Sequence, residues 1–329
     1  MSPLETSTDG FAFRTSAGFA KLPGAKWSFK KTRGPVPVSP SRLSLALAFW
    51  AVLLPGHARA QGIFHVPIRT AVQPEAVLTG AGAVFWNLGS MAGGPQTPQE
   101  MVLIHVVGPS SSGLRGVAGA GVMALPLGFR AGLGYWHLGI QDIPRTSTSP
   151  APELGEVRVA EDVGVLGLAR DLGRRSGVGA GLRLAQGSVG RDTRTSVGGE
   201  LGVHFQPGLP MNPRAGLAIH GLGTEPVALG GLELSLPPLA SSRLPLRAGY
   251  GFRTGRRFDP PEHRASFRAS WEERIHAGAG MAFLGEGGGW VLLAALGADL
   301  GRYSFSVLRE GMANGFGAIH FYRAAIRFP

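Results

Sequence analysis

From Glu100 to the end of the chain, large apolar residues alternate with polar residues or glycine in runs of about 8 to 14 residues. Clusters of Pro, Gly, Ser and Asp separate the runs, which is the pattern of short strands joined by turns. Fourteen runs can be marked: Glu100–Val107, Arg115–Leu125, Gly128–Ile140, Glu156–Arg170, Ser176–Gly187, Arg194–Gln206, Pro213–Leu222, Ala228–Leu236, Arg243–Arg253, His263–Glu272, Ile275–Leu284, Gly289–Asp299, Arg302–Glu310 and Gly315–Arg327. Successive strand side chains point to opposite faces. In the last run Phe316, Ala318, Tyr322, Ala324, Ile326 and Phe328 share one face, and Arg323 and Arg327 lie on the other. Ala265, Phe267, Ala269 and Trp271 likewise oppose Arg264, Arg268 and Glu272; Leu246, Ala248, Tyr250 and Phe252 oppose Arg247 and Arg253. Val197, Leu201, Val203 and Phe205 oppose Glu200 and His204.

A soluble sandwich would carry Lys, Glu and Thr on its polar faces; here those faces hold arginine, a few acids and much glycine. No stretch approaches 18 continuous apolar residues. A chain that spans a membrane without such helices must close its strands into a barrel, because the bilayer offers no partner to an unpaired backbone group. The pattern therefore predicts an all-β, 14-stranded antiparallel transmembrane barrel over residues 100–329, with a secreted β-sandwich as the alternative. An even strand count puts both ends of the barrel on one side. Short turns are expected there (Pro126-Leu127, Asp171–Arg175, Glu273-Arg274, Leu300-Gly301), and longer outer loops opposite (Gln141–Gly155, Thr254–Glu262). Tyr135, Trp136, Trp271, Trp290, Tyr303 and Tyr322 are candidates for interface girdles.

Residues 61–99 hold Pro67, Pro74, Pro95 and Pro98 and the patch Gly80-Ala81-Gly82-Ala83 before Phe85-Trp86-Asn87. They read as short helix and loop. Leu43–Leu54 is an apolar run behind Lys30, Lys31, Arg33 and Arg42 and ahead of Ala58-Arg59-Ala60. That is the order of a secretory signal, with Ala58 and Ala60 framing an A-x-A cleavage site. Residues 1–60 are thus expected to direct Sec-type export, although some forty residues precede the apolar run and point to a start assigned too far upstream.

Charge changes the picture only after that cut. The chain carries a formal +11, but all four lysines precede residue 61. Beyond residue 60, 24 Arg face 19 Asp and Glu, a net +5, which removes most of the support for nucleic-acid binding. Cysteine is absent, so disulfides and thiolate metal sites are excluded. No HExxH, GxSxG or P-loop occurs, and His204, His220 and His320 lack metal-ligand spacing. No enzyme activity, cofactor or metal is expected. The glycine strings around Gly179 and Gly278 read as small inward positions within strands.

Phe85-Trp86-Asn87 after a small-residue patch resembles the N-terminal stretch of FadL-type transporters, with Leu88-Gly89 here in place of Pro-Ala. Gly216-Leu217-Ala218-Ile219-His220-Gly221-Leu222-Gly223 resembles a segment of the PorV/PorQ family, as do Leu246–Tyr250 and Val163–Asp171. The resemblance implies a bacterial outer-membrane barrel whose N-terminal segment, with Trp86 and Asn87 as a hatch motif, is placed to plug the lumen. It also implies one of two roles: passage of hydrophobic or amphipathic solutes, or accessory work in protein secretion with secretion-system components as partners. The expected lumen-lining set is Arg183, Glu200, His204, Arg247, Arg253, Arg264, Arg268, Glu272 and Arg323. These arginines either favour an anionic group or pair with Asp162, Glu200, Glu233 and Glu272 and fill the barrel.

Overall fold

The computed structural model describes residues 71–92, 99–144, 156–173, 175–237, 244–255, 258–272, 274–283, 289–311 and 317–328. The signal segment with Ala58 and Ala60, the outer loop beyond Pro144, Glu273 and Phe316 lie outside them. Fourteen antiparallel strands close into a barrel, each hydrogen-bonded to its sequence neighbours and β1 to β14. They are β1 (Gln99–Val107), β2 (Leu114–Ala124), β3 (Phe129–Pro144), β4 (Glu156–Asp171), β5 (Ser176–Val189), β6 (Asp192–Phe205), β7 (Arg214–Leu222), β8 (Val227–Leu236), β9 (Leu246–Gly255), β10 (Phe258–Trp271), β11 (Ile275–Phe283), β12 (Trp290–Leu300), β13 (Tyr303–Gly311) and β14 (Ala318–Phe328). The closing pair runs in register from Gln99–Phe328 to Val107–His320. Closure leaves no strand edge with unpaired N–H and C=O groups.

The outer wall identifies the solvent this barrel is built for. Leu103, Leu166 and Leu292 are 66%, 59% and 68% exposed, while their neighbours Val102, Val165 and Leu293 are 1 to 3% exposed. Large apolar side chains face outward on every strand from β1 to β14, a surface tolerable only against lipid. Tyr135, Trp271, Trp290, Tyr303 and Tyr322 are all exposed on it. A closed barrel of this kind resists detergent. The unboiled protein is expected to migrate faster in SDS gels than the boiled one, and an unchanged mobility would count against closure.

Three readings of the sequence are corrected. Trp136 is not a girdle residue: it points inward, is 3% exposed and packs edge-on against Phe85 at 5.3 Å. The segment Thr254–Glu262 is not an outer loop, because β9 runs to Gly255 and β10 starts at Phe258, with a register shift between Phe258 and Glu262. A bulge of this kind absorbs extra residues within a strand and makes Pro260 and Pro261 compatible with one. Finally, the inner wall is not charged all round. Val102, Ile104, Val106, Ala118, Ala120, Val122, Leu138, Val163 and Val165 form an apolar sector on β1–β4, interrupted by the buried Glu100, Arg130 and Glu161, and most inward arginines stand on β5, β7, β9, β10 and β14.

The apolar sector exists because something apolar fills the barrel. Three short 3-10 helices, Glu75–Val77, Gly80–Phe85 and Leu88–Ala92, lie inside with every residue buried. They occupy the half of the barrel nearest the end where β1 begins and β14 finishes. The third of them meets β5 near its start and β6 near its finish: at Gly179 a Cβ atom would lie 2.7 Å from the Gly89 nitrogen, and a Cβ at Gly89 would lie 2.6 Å from the Gly202 carbonyl oxygen. Glycine is required at Gly179 for want of space, since backbone meets backbone there.

Candidate functional site

The inner segment is held to the barrel by polar contacts that replace the backbone partners its short helices lack. The Asn87 amide nitrogen donates to the carbonyls of Ala76 at 2.6 Å and Val203 at 2.9 Å, and its oxygen accepts from the Gly89 N–H at 3.0 Å. One buried side chain thus ties two of the helices to β6. The Ala81 N–H donates to Glu100 on β1 at 2.8 Å. His220 on β7 lies 2.6 Å through Nε2 from the Trp86 carbonyl, and Arg183 on β5 donates to the Phe85 carbonyl at 3.0 Å. Arg183 also pairs with Glu200 and its guanidinium stacks over Trp136 at 4.9 Å.

A second cluster binds the start of the segment. Glu75 pairs with Arg264 and, at 3.5 Å, with Arg253; Arg253 also reaches Glu262 at 3.3 Å and lies 5.3 Å over the Trp86 ring. All four charged groups are buried. A third cluster lacks any residue of the inner segment. Glu233 on β8 faces Arg247 at 3.2 Å and Arg214 and Arg268 at 3.8 Å, so three guanidiniums share one carboxylate. Near it, Arg323 pairs with Glu100 at 2.9 Å, and Asp299 with His276 at 3.0 Å and Arg327 at 3.4 Å.

Arginines of the third cluster and its neighbours border a cavity of about 650 Å³ between the inner segment and a wall formed by β9–β14 with Arg214 of β7 and Glu100 of β1. Arg214, Arg247, Arg268, Arg323 and Arg327 line it, together with Val72, Leu78, Ala295 and Leu308. Its lining combines cationic and apolar groups.

Of the residues singled out by sequence, Arg183, Glu200, His204, Arg247, Arg253, Arg264, Arg268 and Arg323 face inward. Trp86 and Asn87 are both fully enclosed, at 0 and 1% exposure. Glu272 departs from the set: it lies past the end of β10, exposed, in the turn, with φ of 48°, where strand alternation no longer applies. Asp162 also departs. It points outward and bonds Tyr135 at 2.5 Å and His137 at 2.9 Å, so it balances none of the inner arginines. His204 is buried without a hydrogen-bond partner on either ring nitrogen. Glu75, Glu100, Arg214 and His220 escaped the sequence reading as site residues. Glu75 lies in a stretch without periodicity, and the other three stand on strands whose inward partners are set by closure. No group of three or more His, Asp or Glu positioned to hold a metal occurs among the described residues.

No family model matches the chain, and no curated protein matches it. Solved structures do. The toluene transporter TbuX of Ralstonia pickettii is similar over 84% of this chain and 100% of its own, at 12% identity and a TM-score of 0.53. A FadL homologue of Pseudomonas aeruginosa is similar over 78% of this chain and 96% of its own, at 11% identity and a TM-score of 0.51. CdiB from Acinetobacter baumannii is matched over 70% of this chain at 11% identity, with a TM-score of 0.44; this chain spans 60% of its length. The first two share the barrel fold of this protein.

Proposed function

We propose that this chain is a FadL-like barrel of the bacterial outer membrane that passes hydrophobic or amphipathic solutes, with residues 71–92 as the plug of its lumen. The observation that carries this reading is the apolar, fully enclosed segment seated in a lipid-facing barrel and tied to it by side chains rather than by a sheet. A segment held in that way can shift without opening the wall. The cavity beside it supplies both an apolar surface and cationic groups, the complement of an amphipathic solute. Likeness in fold to a toluene transporter and a FadL homologue supports the same class. On this reading export follows cleavage after Ala60, the ends of the barrel face the periplasm, and no catalytic step is involved. The PorV/PorQ-like segments from Gly216 and Leu246 lie on β7 and β9, where they form wall.

Uptake decides the matter. Cells lacking the protein are expected to lose at least half of their uptake of labelled toluene or of a labelled long-chain fatty acid, restored by the intact gene. Unchanged uptake of both, together with recovery of a large secretion complex from gentle detergent, would replace transport by a secretion role.

A further inference from the structure

We infer that the cavity beside the inner segment is a binding site for a dianion, such as a phosphate monoester or a dicarboxylate. The argument is one of charge balance around a partly enclosed space. Two other clusters of the described interior balance locally: Arg253 and Arg264 are matched by Glu75 and Glu262, and Arg183 by Glu200. At the cavity five guanidiniums converge. Three carboxylates answer them: Glu233 behind Arg214, Arg247 and Arg268, Glu100 beside Arg323, and Asp299 beside Arg327. Among the described residues the remainder is two positive charges.

Like charges gathered around a partly enclosed cavity repel each other more than in open water, and arginine does not relieve this by losing its proton. The contacts themselves show an unfilled demand. Arg214 and Arg268 stand 3.8 Å from Glu233, beyond hydrogen-bonding distance. The Arg268 Nε atom is buried with no hydrogen-bond partner. A guanidinium fork is built for bidentate contact with carboxylate or phosphate oxygens, and an anion with two charges restores neutrality where a monoanion leaves one charge over. The volume of about 650 Å³ falls within the usual range for small-molecule sites, so the charged head can carry an organic body against Val72, Leu78 and Leu308. The site is defined by equilibrium binding and does not depend on whether solutes cross the barrel.

The purified, folded protein in zwitterionic detergent at pH 8 is titrated calorimetrically with inorganic phosphate, succinate and butanoate. Saturable binding of phosphate, of succinate or of both is expected, at least ten-fold tighter than butanoate. Phosphate alone would define the class as phosphorylated solutes, and succinate alone as dicarboxylates. Arg268→Gln and Arg247→Gln should each weaken binding at least ten-fold. Arg309→Gln, on the exposed outer face of β13, should leave it unchanged; gel mobility before boiling verifies that each variant is folded. Absence of saturable binding, butanoate binding as tightly as succinate, equal loss in Arg309→Gln, or no loss in either cavity variant would overturn the site.

Discussion

Gly179→Val is expected to drive the inner segment out of its seat while leaving the barrel closed. Gly179 faces inward on β5, flanked by the outward-facing Val178 and Ala180. Its backbone is extended, so valine suits the strand itself; only space opposes it. A Cβ there would lie 2.7 Å from both the Gly89 nitrogen and the Leu88 Cβ, and the two further methyl groups of valine would go deeper. Inserting atoms into a packed interior costs about 1–3 kcal/mol where side chains can move aside. Here backbone blocks the way, and the cheaper response is for the segment to leave. The expected result in planar bilayers is a rise of at least ten-fold in mean conductance. Protease cleavage near Leu88 should accompany it, while unboiled gel mobility stays fast. Ala180→Val adds comparable bulk on the lipid side and should change neither. Unaltered conductance and cleavage in Gly179→Val would show that the segment is not confined by this contact.

Glu75→Gln is expected to be the most destabilising single change at a charged position. Glu75 faces Arg253 and Arg264, and all three are buried. Removing one partner of a buried ion pair costs about 3–5 kcal/mol, because the remaining charge loses its compensation without regaining water. A fall of that size in the free energy of urea unfolding from lipid vesicles is the measurement. The double variant Glu75→Gln with Arg264→Met should recover a good part of it, since an apolar side chain of similar length is tolerated where a lone guanidinium is not. If the single variant unfolds with the wild-type midpoint, Glu75 does not anchor the segment. Loss of stability without recovery in the double variant would assign its role to packing alone.

These two sites show how differently the sequence speaks of wall and interior. Alternation placed Arg247, Arg253, Arg264 and Arg268 on the inner face correctly, because their strands keep strict two-residue periodicity opposite Tyr250, Phe252 and Phe267. It failed at Glu272, one residue past the end of β10, where the chain turns and the parity rule lapses. The girdle assignment failed at Trp136, whose aromatic character suits a membrane interface as well as a core. Its inward parity was legible, but nothing in β3 announced Phe85 as the partner that makes an inward tryptophan favourable.

The fourteen alternating runs determined the strands and pointed to a barrel, with a β-sandwich as the alternative, since period-two alternation is a local demand; the pairing of β1 with β14 decided for closure. Which charges meet was decided only in three dimensions. Glu75 reaches Arg264 across 189 positions, and Arg323 reaches Glu100 across 223. Such pairs arise from ring closure and from a segment folded back into the ring, and neither event leaves a periodic trace along the chain.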